Sequence, residues 1–167
     1  MMADNIRDNI ITAAKNYIGR SFWGSQVGNY MTAYTCVHLG FDVYHSVGLL
    51  QNKPNVITEY VNAYMRYKRN SSQPFSTGVD QYFSKRKDGK IEPGDFIMIY
   101  YRKMTTIHFA IYIGNNQYID TDPDRGYVDY TTLDDLMAKD GAEGYLIYDA
   151  LSNARTLAAR SIVDNNN

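Results

Sequence analysis

Apolar residues recur at spacings of three and four along "DNIRDNIITAAKNYI", residues 4–18, where Ile6, Ile10, Ala13, Ala14 and Tyr17 fall on one side of a helix. The pattern predicts a short amphipathic helix with Asp4 or Asn5 as its N-cap and Gly19 as the residue that ends it. Residues 20–35, "RSFWGSQVGNYMTAYT", keep no period and are rich in turn formers, so they read as a loop. The helical period returns over residues 36–50, where Val37, Gly40, Phe41, Tyr44, Val47 and Leu50 form a stripe behind Cys36. Residues 51–92 carry the weakest pattern, with a helix expected over "NVITEYVNAYMRYK" between polar connectors.

After Pro93 the period changes from helix to strand. "DFIMIYY", "HFAIYIG" and "QYIDT" are β-branched and aromatic runs, the last two joined by "GNN", whose Gly and Asn residues tolerate the positive φ of a tight hairpin. "YVDY" and "GYLIYDAL" are further strands, separated by "TTLDDLMAK", whose Thr cap and acidic first turn predict a short helix. Helices first and strands afterwards is an α+β order.

The chain has 167 residues, 44 % of them apolar and 14 % aromatic, which suffices for one domain with a real core. That domain is expected over residues 1–151, with 51–92 as a helical connector, followed by a tail that is helical over "NARTLAARSIV" and disordered over "DNNN". A net charge of −1 gives no electrostatic reason to bind nucleic acid or an acidic membrane, and the basic runs "MRYKRN" and "SKRK" read as solvated faces. Sixteen tyrosines against six phenylalanines suit a wet cleft lined by amphipathic rings, and equally a drift in composition. The N-terminus has no basic segment followed by an apolar one, and no run approaches the ~18 apolar residues of a membrane span. The expectation is synthesis in the cytoplasm and, for any work outside it, export by another route.

A single cysteine makes no internal disulfide, so Cys36 is a free thiol. At a helix N-terminus, unpaired N–H groups and the positive end of the dipole favour its thiolate. Of the three histidines, His38 and His45 share the helix of Cys36 but face elsewhere or lie more than two turns away, whereas His108 opens a strand and can reach the thiol through tertiary folding. If the hairpin turns on Asn115 and Asn116, Asp120 comes close to His108 and can accept an imidazole N–H. Asp95 in "PGDF" reads as an acceptor of backbone N–H groups where a strand begins. No Cys or His cluster has metal-ligand spacing and no Gly-rich phosphate loop is present, so neither metal nor cofactor is expected.

These residues carry a resemblance. "YIGRSFWGS", "YTCVHLGF", "EPGDFIMIYY" and "HFAIYIGNNQYIDT" occur in the order of the NlpC/P60 papain-like cysteine peptidases, over roughly residues 10–135, and "STGVDQYF" is similar to the Asp-Gln segment that precedes the family's Pro-Gly-Asp strand. The "HFAIYIGNN" block after "PGDF" is the most specific piece. The resemblance implies a papain-like α+β fold with a nucleophile at a helix N-terminus packed on an antiparallel sheet. It implies Cys36 as nucleophile, His108 as base and Asp120 in the third position, where a histidine is commoner. It also implies substrate contacts at Trp23, Tyr34, Thr35 and Val37. Thr35 and Val37 stand where typical members have the Asp and Ser implicated in gripping the free amine of the substrate's L-alanine, and His38 stands for a glycine.

The activity implied is cleavage of a peptidoglycan stem peptide between D-glutamate and the diamino acid. Two other readings stay open: a deamidase, transglutaminase or acyltransferase acting on a protein or lipid, and a binding module that kept the fold without the chemistry. A wall hydrolase without a leader fits a phage module or a toxin delivered by a secretion machine, the latter with an immunity protein as partner.

Overall fold

The computed structural model describes residues 2–21, 26–27, 30–31, 36–51, 79, 82–101, 106–122 and 125–152. The helix expected over "NVITEYVNAYMRYK", the basic run "MRYKRN" and the tail beyond Ser152 lie outside them.

Helix α1 (Met2–Lys15) buries Ile10 and Ala14, two positions of the predicted stripe. It begins earlier than expected, so Asp4 and Asn5 lie within its first turn and neither is its cap. Gly19 follows with φ 85°, and its N–H donates to Val128 O at 2.8 Å, tying the end of the helix to the sheet. The segment read as loop holds a small antiparallel pair, β1 (Gln26–Val27) and β2 (Tyr30–Met31), too short to leave a period in the sequence.

Helix α2 (Cys36–Ser46) starts at the cysteine. It stops short of Leu50 because Gly48 adopts φ 82° and Leu49 N–H turns back to Tyr44 O at 2.9 Å, yet Leu50 remains in the core. Leu39 and Val43 are buried as well as Val37, Phe41 and Tyr44, so the helix is covered on more than the one face that the stripe marked.

Strand β3 (Ser84–Lys85) precedes β4 (Phe96–Tyr101), β5 (Thr106–Gly114), β6 (Gln117–Asp122) and β7 (Tyr127–Thr131). Helix α3 (Leu133–Met137) and β8 (Ala142–Asp149) follow, and the sheet is antiparallel in the order β3-β8-β4-β5-β6-β7. Thr132 caps α3 by accepting from Asp135 N–H at 3.2 Å, as its sequence predicts. The central strand of the sheet, β4, is buried on both faces. On β4, Phe96 and Met98 join α1 and α2 in the larger core, while Ile97, Ile99 and Tyr101 join Leu133, Leu136 and Met137 around α3. A strand covered on both sides needs no polar alternation, which explains the unbroken "FIMIYY".

The turn at Pro93 and Gly94 fastens these layers. Gly94 has φ 94° and lies so near α1 that a Cβ there would sit 3.2 Å from Ile10 Cδ1, and Tyr44 of α2 donates to Gly94 O at 2.9 Å. Fully buried Asp95 accepts the backbone N–H of Glu92 and of Ala150, as the sequence suggested. It also accepts Arg7 Nη1 at 3.2 Å and Arg86 Nε at 2.6 Å. Arg86 therefore corrects the reading of "SKRK" as a solvated face: its side chain is 13 % exposed and faces a carboxylate, and Ser84 and Lys85 form a strand.

Candidate active site

The site is assembled from the first residue of α2 and one residue each of β5 and β6. Cys36 occupies the first turn of α2, where N–H groups have no intrahelical acceptor, and its thiol is free and half-buried. His108 Nε2 lies 2.7 Å from Asp120 Oδ2, with the two side chains 15 % and 4 % exposed. Cys36 is close enough to the imidazole for its charge to act on the ring, whose Nε2 is engaged by Asp120. The imidazole and the carboxylate are thus in direct contact.

How Asp120 arrives there depends on a register change. At the turn Gly114 pairs with Gln117, a register that, if continued, would set Asp120 opposite Ile111, on the face away from His108. An irregularity between Tyr112 and Gly114 shifts the pairing, so that Ile111 stands opposite Ile119 and Asp120 is carried to the face of Ala110 and His108. His108 and Asp120 are then diagonal neighbours, and the length of the imidazole closes the gap. The turn itself has Gly114, Asn115 and Asn116 at φ 91°, 50° and 63°, as "GNN" predicts.

Burial works against a charge on His108, but the Cys36 sulfur and the Asp120 carboxylate outweigh it and raise the imidazole from 6.5 to about 10. The direction of the shift favours the imidazolium.

Trp23, Tyr34 and Thr35 lie outside the described residues. Val37 is 6 % exposed and belongs to the core, which removes its side chain from the surface a substrate would touch. His38 and His45 are half-buried on α2. Among the described residues, no group of three His, Cys, Asp or Glu side chains could hold a metal ion, and no helix is long and apolar enough to cross a membrane. One neighbour of the site escaped the sequence pattern: Tyr101, whose hydroxyl senses both Cys36 and Asp120. Nothing local distinguishes it among the other tyrosines.

The chain matches the NlpC/P60 family over residues 23–142. Among solved structures it is similar to NlpC2 and NlpC1 of Trichomonas vaginalis, with TM-scores of 0.53 and 0.52 at 15 % and 16 % identity. These similarities cover 86 % and 84 % of this chain but only 47 % and 42 % of those, so the chain spans less than half the length of either. The P60 domain of an antigen from M. avium subspecies paratuberculosis aligns with a TM-score of 0.50 at 18 % identity, over 87 % of this chain and 96 % of that one. Comparison with curated protein sequences gives no match. The family match spans most of the chain and contains Cys36, His108 and Asp120, and the protein belongs to the NlpC/P60 family.

Proposed function

We propose that the protein is a cysteine peptidase that hydrolyses a peptidoglycan stem peptide between D-glutamate and the diamino acid. The observation that carries this reading is the 2.7 Å contact between His108 and Asp120, with Cys36 at the start of α2 near enough for its charge to act on the ring. Family membership supports the substrate class, since NlpC/P60 proteins are usually peptidoglycan hydrolases.

The Cys36 sulfur attacks the amide carbonyl, and the backbone N–H of Cys36 at the start of α2 donates to the oxyanion. The His108 imidazolium gives its proton to the leaving amine. It then takes one from the water that hydrolyses the thioester, while Asp120 keeps the ring in one orientation and supports its charge. Val37, turned into the core, offers no polar group to an ammonium. The proposed enzyme therefore gains little from a free L-alanine amine on the stem.

The test is mass spectrometry of purified peptidoglycan and of defined muropeptides, with free and acetylated L-alanine, after incubation with wild type or Cys36→Ala. New fragments ending at D-glutamate with wild type only, from both forms, are the expected result. An unchanged digest would overturn the wall reading and direct the search to protein glutamines and acyl groups.

A further inference from the structure

Register places a third polar side chain on the face that carries His108 and Asp120. In the β4–β5 pair Ile99 stands opposite His108 and Tyr101 opposite Thr106. Paired residues of an antiparallel sheet share a face, and every second residue along a strand returns to it, so Tyr101 projects from the same face as His108. Asp120 projects there as well, one position beyond Ile119, which stands opposite Ile111.

Tyr101 is 7 % exposed. Burial first, then the charges of Cys36 and Asp120, push its phenol up from 10.0 to about 12, so it keeps its proton throughout the range in which the thiol would work. Among the described residues no hydrogen bond reaches its hydroxyl. Burying a hydroxyl without a partner costs free energy, and a donor that finds none among the described residues, on the face of His108 and Asp120, is accounted for when an atom of the substrate fills the gap.

We propose that the Tyr101 hydroxyl is an oxyanion donor, working together with the backbone N–H of Cys36. As the sulfur–carbon bond forms, the carbonyl π pair moves onto oxygen, and the phenol donates a hydrogen bond to that oxygen without losing its proton. When the adduct collapses, the pair returns to the carbonyl, the bond to the leaving group breaks, and His108 protonates a leaving amine. The inference rests on the thiol chemistry proposed for Cys36 and not on peptidoglycan being the substrate.

Two probes separate the roles. p-Nitrophenyl acetate acylates a thiolate through a tetrahedral oxyanion, whereas iodoacetamide alkylates it at saturated carbon and develops none. In Tyr101→Phe, which keeps the buried ring, acylation of Cys36 is expected to fall by about 10²-fold, with the rate and pH profile of alkylation unchanged within about twofold. A second variant carries 3,5-difluorotyrosine at position 101, whose phenol ionises at lower pH. It should bring the alkaline limb of acylation, and not of alkylation, to lower pH. Equal acylation by Tyr101→Phe and wild type would overturn the proposal. So would a parallel loss of both reactions, an unmoved limb in the fluorinated protein, or a wild type that is alkylated and never acylated. Failure of the wall reading instead leaves muropeptides undigested while both probe reactions of wild type persist, so the two failures are told apart.

Discussion

The charge state of one ring governs the chemistry proposed here. Folding raises His108 from 6.5 to about 10, so its proton is held more tightly in the native protein than in the unfolded chain. Its contribution to stability is accordingly complete below about 6.5 and is lost as pH rises through about 10. The upper limb of the pH profile for alkylation of Cys36 should lie in that same alkaline region. Asp120→Asn removes one of the two charges that hold the proton, so the limb moves to lower pH. Turnover should drop by about 10² to 10⁴-fold as the ring loses its orientation. A limb that stays in place would mean that Asp120 does not act on the imidazole.

At the scale of the element, the β5–β6 hairpin decides whether His108 and Asp120 meet. The strands and the Gly-Asn-Asn turn were legible because β-branched runs and positive-φ residues leave a local mark. The register shift at Tyr112 was not, since the same letters read equally well with Asp120 on either face. Two-residue strands such as β1, β2 and β3 leave too few positions for a period. Gly114 sits beside the shift at φ 91°, a conformation that a β-branched residue adopts only under strain. Gly114→Val should cost about 1–3 kcal/mol in a urea melt. It should also lower the alkaline limb of Cys36 alkylation, because a slipped strand withdraws Asp120. Asn116→Gly, at a φ of 63° that glycine adopts freely, is the control and should leave both properties within experimental scatter of wild type.

Over the whole molecule, Asp95 joins parts of the chain that sequence patterns treat separately. Its carboxylate takes Arg7 from α1, Arg86 from beyond β3, and the backbone N–H of Ala150 from beyond β8. The "PGDF" signature marked the acceptor, but its donors come from segments as far apart as residues 7 and 150, where no periodicity links them. Arg86 lay in a basic run that by composition alone resembles solvent-facing surface. A fully buried carboxylate between two guanidiniums is expensive to break from one side, because Arg7 and Arg86 lose their buried counter-charge and keep only the half-exposed Glu92 and, for Arg86, Asp149. Asp95→Asn keeps the shape and removes the charge, and should cost about 3–5 kcal/mol, read as a lowered urea midpoint. The ion pair between Arg125 and Asp129 is the comparison, with the arginine 54 % exposed to solvent and salt. Arg125→Ala should cost no more than about 1 kcal/mol. If the two substitutions proved equally mild, Asp95 would be held by its backbone donors alone. The contact between α1 and the sheet would then rest on Ile10 and Gly94 packing, with the charge of Asp95 adding little to it.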